Sequence, residues 1–241
     1  MPRTLFVSDL HLAAERPAAA AAFFGFLARE APQSRAIYIL GDLFEYWIGD
    51  DDLGDPFNAS VAQALARTAA RGVKLYFMHG NRDFLIGEEF CRVAGLGLLE
   101  DPHRIELHGR NAILMHGDTL CTDDYDYQSW RRTARSREWQ TGFLAESLGE
   151  RHQQIQALRE KSKEVIRVKP AEIMDVNDGA VRDVLREHNV DLLIHGHTHR
   201  PAHHRLDVDR KACDRWVLPE WYGRGGYLVA DATGLKLEFL P

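Results

Sequence analysis

Cysteine is scarce in this chain. Cys91, Cys121 and Cys213 are an odd set with neither CxxC nor finger spacing, which excludes a disulfide framework and a thiolate zinc finger and fits a reducing compartment. All three read as small buried apolar residues. Long apolar runs are missing as well: the longest, Ala18–Ala28, falls short of the roughly 20 residues that span a bilayer. The opening MPRTLFVSDLH has no basic segment followed by an apolar core and a cleavage site, so neither a signal peptide nor a transmembrane segment is expected. There is no excess of positive charge: the formal net charge is −6, which argues against nucleic acid as a partner. Repeats and low-complexity segments are also lacking. What is present, 241 residues with 45% hydrophobic and 27% charged, suits one globular domain over residues 1–241.

One segment departs from that average charge. Between Trp130 and Lys169 the basic residues Arg131, Arg132, Arg135, Arg137, Arg151, Arg159, Lys161, Lys163, Arg167 and Lys169 outnumber Glu138, Glu146, Glu150, Glu160 and Glu164. Either this is a solvated helical face, or it attracts an anionic ligand or lipid surface.

The apolar pattern predicts an α/β fold. Strands are expected at Thr4–Ser8, Ala36–Leu40, Val73–Met78, Arg104–Leu107, Asn111–Met115, Leu192–His195, Trp216–Leu218, Gly226–Ala230 and Leu235–Leu240. Helices are expected after Pro17 and Pro56, at Glu88–Ala94 and at Asn177–His188. The alternation in the first third is that of βαβ units. From Tyr125 to about residue 170 strand character disappears, and the segment reads as a helical insertion, a lid, within the domain.

Polar clusters follow the strands: Asp9-Leu10-His11, Gly41-Asp42, Gly80-Asn81-Arg82-Asp83, His116-Gly117-Asp118 and Gly196-His197-Thr198-His199. Ligands of α/β sheets bind beyond the carboxyl ends of the strands, so the five clusters are expected to converge. Asp, His and Asn in that number exceed one open tetrahedral zinc site and suffice for two divalent ions sharing a carboxylate. Asp83 and Asp118 are either acceptors that orient ligand imidazoles or turn residues. His79 reads as a strand-end packing residue, His203 and His204 as lining a turn, Phe44 and Trp47 as aromatic core, and Asp50, Asp51 and Asp52 as a solvated acidic loop.

The blocks DLH, GD, GNRD, HGD and GHTH, in this order between residues 9 and 199, resemble the signature blocks of the calcineurin-like metallophosphoesterase superfamily. Within it, LFVSDLHL, ILGDLFEYWIGDD, FMHGNRDFLIG, LMHGDTLCTDD, IMDVN and LLIHGHTHRPA resemble the family of UDP-2,3-diacylglucosamine diphosphatases of lipid A biosynthesis. The resemblance implies a β-sandwich of mixed sheets flanked by helices. It also implies two divalent metal ions, manganese suiting the ligand set, held by Asp9, His11, Asp42, Asn81, His116, His197 and His199. Catalytic roles are implied for Asn81, Arg82, His116 and His197. Substrate contacts are implied for Asn81, Arg82, Asp124, Ser162, Lys169 and His197, and for position 166, where Ile166 stands in place of the family's frequent polar residue. The implied reaction is metal-assisted attack of water on the α-phosphorus of UDP-2,3-diacylglucosamine, at the cytoplasmic face of the inner membrane. The implied enzyme touches the membrane peripherally and has no obligate protein partner. The alternative is a dinuclear enzyme for another nucleotide diphosphate or phosphodiester.

Overall fold

The computed structural model describes residues 3–169 and 173–240, without the side chains at 161, 163 and 165–168. The chain begins β1 (Arg3–Val7), α1 (Pro17–Arg29), β2 (Ser34–Leu40), α2 (Pro56–Ala70), β3 (Lys74–Met78), α3 (Glu88–Ala94) and β4 (Leu96–Leu99). These four strands pair in parallel, as strands joined by crossover helices do. A hairpin follows, β5 (His103–Leu107) and β6 (Arg110–Met115). Its two-residue turn places His108 at φ 52° and Gly109 at φ 81°, the backbone a tight hairpin needs. The segment read above as an insertion, and called so below, forms α4 (Tyr125–Ala134), α5 (Arg137–Leu144) and α6 (Leu148–Val168). The chain ends with α7 (Asp178–Glu187), β7 (Leu192–His195), β8 (Ala202–Val208), β9 (Lys211–Val217), β10 (Gly226–Asp231) and β11 (Gly234–Phe239).

Two mixed sheets result, in the orders β11-β10-β1-β2-β3-β4 and β5-β6-β7-β9-β8. Side chains alternate between the faces of a strand, and here the alternation sorts them into three layers of core. Phe6, Leu40 and Met78 of the first sheet meet Ala112, Leu114, Leu192 and Ile194 of the second. The intervening residues of the first sheet, Leu5, Val7, Ile37, Ile39, Leu75 and Phe77, face Phe23, Phe26, Val61, Leu65 and Phe90 of α1, α2 and α3. On the far side, Ile113, Met115 and Leu193 pack on Val181 and Leu185 of α7. The helices are capped locally: the Asp55 carboxylate accepts from Phe57 N and Asn58 N at 2.9 and 3.0 Å, and Asn177 does the same for α7. Each such cap contributes about 1 kcal/mol.

Three expectations need correction. His203 and His204 lie on β8 rather than in a turn. That edge strand alternates exposed and half-buried residues and has no fully apolar face to betray it in the sequence. His203 bonds Asp214 at 2.7 Å and stacks on Trp216. The strand expected only from Trp216 begins at Lys211, and β4 was not foreseen. Asp50 does not belong to a solvated loop: its two oxygens accept from Trp47 Nε1, Gly87 N and Phe90 N at 2.9–3.0 Å, capping α3 from a distant segment.

Candidate active site

The five polar clusters meet where β1, β2, β3, β6 and β7 end. Five of the residues there are left-handed without being glycine: Asp9, His11, Asp42, His197 and His199, with φ between 50° and 68°. Asp and His tolerate this conformation better than most residues, yet it costs about 1–2 kcal/mol each. The loops are pressed together to hold it. A Cβ on Gly41 would lie 2.4 Å from His116 Nδ1 and 2.6 Å from Gly80 Cα, and one on Gly80 would lie 2.0 Å from Asp42 Oδ1.

Asp9, His11, Asp42 and His116 form a buried floor, at most 2% exposed. Asn81, Arg82 and His197 are half-buried and His199 is exposed at the mouth. Two foci of lone pairs stand out. At the first, His11 Nε2 and His199 Nε2 face each other at 3.4 Å, with Asp9 Oδ1 3.4 Å from His199 and Asp42 Oδ2 3.7 Å from His11. At the second, the Asn81 amide oxygen is 3.0 Å from His116 Nε2 and 2.9 Å from His197 Nδ1, with Asp42 Oδ1 3.9 Å from His116. Asp42 thus turns one oxygen to each focus. Acceptors converging at these separations repel unless a proton or cation lies between them. The buried Asp9 Oδ1 has no hydrogen-bond partner. The donor set therefore fits two divalent cations, through oxygen and imidazole nitrogen.

The electrostatics lead to the same demand for positive charge. Burial alone would lower the His116 pKa, but Asp42, Asp118 and Asp9 raise it to about 9. Burial, with Asp83 and Asp9 nearby, raises Asp42 to about 7. Protons on these two groups stand in for cations, so cation binding must expel them. Both folded pKa values lie above their unfolded values, so without metal each group's contribution to stability is lost as pH rises, Asp42 up to about 7 and His116 from about 6.5 to about 9. The chelated protein is accordingly expected to lose thermal stability from pH 6 to 9, whereas saturating divalent cation reverses the trend. A pair of thermal melts at each pH tests this, and parallel curves with and without chelator would refute it.

Around this centre stand residues that hold it. Asp83, fully buried, accepts from Gly80 N at 2.9 Å, Leu43 N at 2.7 Å, Asp42 N at 3.3 Å and Phe44 N at 3.4 Å, tying two loops together. Asp118 accepts from Tyr127 OH and Arg131 Nε, each at 2.6 Å, and the Tyr127 ring lies over His197 with centroids 5.8 Å apart. His116 Nδ1 donates to Leu40 O at 2.9 Å, which leaves Nε2 for the site. His195 belongs to β7, buried between Gly196 O and Arg215, and His79 packs at the end of β3, bonding Ile86 O at 2.7 Å. Phe44 and Trp47 are core.

The insertion is fastened to the same loops. Arg135 donates to Gly80 O at 2.8 Å, Arg151 donates to Ile48 O and pairs with Asp51, and Arg159 meets Glu45 at 3.0 Å. Together with Arg131, four of the basic residues in the segment point into the molecule. Of the positions implied for substrate contact, Asp124 caps α4 and pairs with Lys169 at 2.6 Å, while Ser162 is half-buried on α6. The Ile166 side chain lies outside the described residues. The sequence singles out neither Glu45, Tyr127 nor Tyr222, and Arg159 only as one of the basic excess; of these, Glu45, three positions after Asp42, carries a local sign of its place.

Residues 2–201 match the model of the calcineurin-like phosphoesterase family. The UDP-2,3-diacylglucosamine hydrolase of Aromatoleum aromaticum is 51% identical over 95% of this chain and 94% of its own. The hydrolases of the same name from Cellvibrio japonicus and Escherichia coli are each 47% identical, over 98% and 99% of both chains respectively. With family model, near full-length relatives and a sandwich of two mixed sheets in agreement, the chain belongs to the calcineurin-like phosphoesterases and, among them, to the family of the UDP-2,3-diacylglucosamine hydrolases.

Proposed function

We propose that this protein hydrolyses the pyrophosphate of UDP-2,3-diacylglucosamine, giving UMP and 2,3-diacylglucosamine 1-phosphate. The observation that carries the reading is the pair of lone-pair foci bridged by Asp42, in a chain 47–51% identical to hydrolases of that name. Asp9, His11, Asp42 and His199 would hold one divalent ion, and Asp42, Asn81, His116 and His197 the other, with manganese our choice for this oxygen and nitrogen set. When bound, such a pair lowers the pKa of water and neutralises phosphate oxygens. We assign Asn81, Arg82 and His197 to the diphosphate, and Asp124, Ser162, Ile166 and Lys169 to the rest of the substrate. No helix among the described residues is long and apolar enough to cross a membrane. Access to a lipid substrate then calls for contact with a membrane surface, which we place at the cytoplasmic face of the inner membrane. Hydrolysis of UDP-2,3-diacylglucosamine beside UDP-glucose and bis-p-nitrophenyl phosphate tests the reading: preference for the acylated substrate supports it, and equal turnover of UDP-glucose would replace it with a general nucleotide diphosphatase.

Arg82 defines the chemistry more narrowly. Its backbone N donates to Asp42 Oδ1 at 2.8 Å, while its guanidinium makes no hydrogen bond among the described residues. Arginine cannot donate a proton at neutral pH, but offers a fixed charge and a bidentate fork for phosphate oxygens. A sugar phosphate leaves as an anion without needing a proton. Arg82→His is expected to lower kcat/KM on the diphosphate by about 100-fold and to impair a substrate with an alkoxide leaving group less. The same proportional loss on both would make Arg82 a general anchor.

A further inference from the structure

Glu45 occupies a position that the reaction itself does not explain. It is 5% exposed, and its backbone N donates to Leu12 O at 3.0 Å. Its carboxylate has neighbours from three separate parts of the chain. Oε2 accepts from Tyr222 OH at 2.7 Å and lies 3.5 Å from His11 Nδ1. Oε1 accepts from the Arg159 guanidinium of α6 at 3.0 Å. Tyr222 in turn stacks on the His11 ring at 4.7 Å between centroids, with the Arg16 guanidinium 4.1 Å from the Tyr222 ring centroid.

Consider the tautomer of His11. Its Nε2 faces the site, so the lone pair belongs there and the proton belongs on Nδ1. That nitrogen is buried without a hydrogen bond, and a buried donor left unmade costs about 1–3 kcal/mol. The carboxylate it faces is the group able to receive it, and a carboxylate behind a ligand histidine fixes ring orientation and raises basicity. The other oxygen of that carboxylate is held by the insertion. We propose that Glu45 is a positioning residue which couples seating of α6, through Arg159, to the orientation of His11 in the metal centre. Coupling is reciprocal: cation binding that orders His11 must also favour the docked position of α6.

The inference rests on His11 being a ligand, and the experiment separates the two. Manganese binding to chelated protein is measured by titration calorimetry for wild type, His11→Ala, Glu45→Ala, Glu45→Gln and Arg159→Met, and amide hydrogen exchange of residues 148–160 is followed with and without manganese. Glu45→Ala is expected to weaken binding by about 10- to 100-fold, and Glu45→Gln, which keeps an oxygen acceptor, by less. Manganese is expected to slow exchange in α6 of wild type by about fivefold or more and to leave it unchanged in Arg159→Met. If Glu45→Ala does not fold, Glu45→Gln and Arg159→Met decide the matter through exchange. Wild-type manganese affinity in Glu45→Ala, or equal protection of α6 in Arg159→Met, would overturn the coupling while His11→Ala still loses metal. Undiminished binding in His11→Ala would overturn the ligand assignment itself.

Discussion

Replacing Asp42 by alanine is expected to reduce activity by about 1,000-fold or more while the chain remains folded. The carboxylate turns Oδ2 toward His11 and Oδ1 toward His116, so one substitution removes an oxygen from both foci. It also removes a buried acid whose pKa is raised by burial and by the charges of Asp83 and Asp9. That charge is unfavourable to the metal-free fold, which offsets the loss of the hydrogen bond from Arg82 N, so the chelated variant should still melt cooperatively. Metal analysis after gel filtration supplies the readout. A variant that retained two ions per chain and turned over normally would show that the bridging role lies elsewhere.

A comparable loss, for a different reason, is expected from Asp83→Ala. Asp83 forms no part of either focus, but its carboxylate receives four backbone N–H groups from two loops. Alanine leaves these donors buried and unmet. Breaking a buried, hydrogen-bonded charge costs about 3–5 kcal/mol, which in a chain of this length lowers the melting temperature by roughly 10 °C. Asp83→Asn would rescue little, because its NH2 group meets donors where acceptors are needed. Since the two loops carry Asp42 and Asn81, activity should fall with stability. Melting within 2 °C of wild type would reduce Asp83 to a turn residue.

The sandwich and its centre were legible because both write themselves locally. Buried strands such as those ending at Val7, Leu40 and Met78 are short apolar runs, and each is followed directly by its polar block. What was illegible depends on distant parts of the chain. The edge strand β8 faces solvent on much of its surface and shows no apolar periodicity. Glu45, Arg159 and Tyr222 meet only in three dimensions. The basic excess of the insertion had two open readings, solvated face or anion-attracting surface. Neither describes Arg131, Arg135, Arg151 and Arg159, whose partners are a carboxylate or a carbonyl of the body. Charge composition is silent about direction: an arginine that docks a helix reads the same as one that awaits a lipid.

The contact between Gly41 and Gly80 bears on how such an enzyme can change over generations. With less than 3 Å between the sites of their missing Cβ atoms and the neighbouring loop, no side chain can be inserted there without parting the loops that present Asp42 and Asn81. That seam of the floor is therefore closed to drift. The surface is not so confined: Tyr125, Trp130 and Leu144 of α4 and α5 are exposed and can vary without touching that seam. Change compatible with an intact floor is therefore expected at exposed positions of that kind. Substitutions that survive selection for activity should accordingly spare the two glycines.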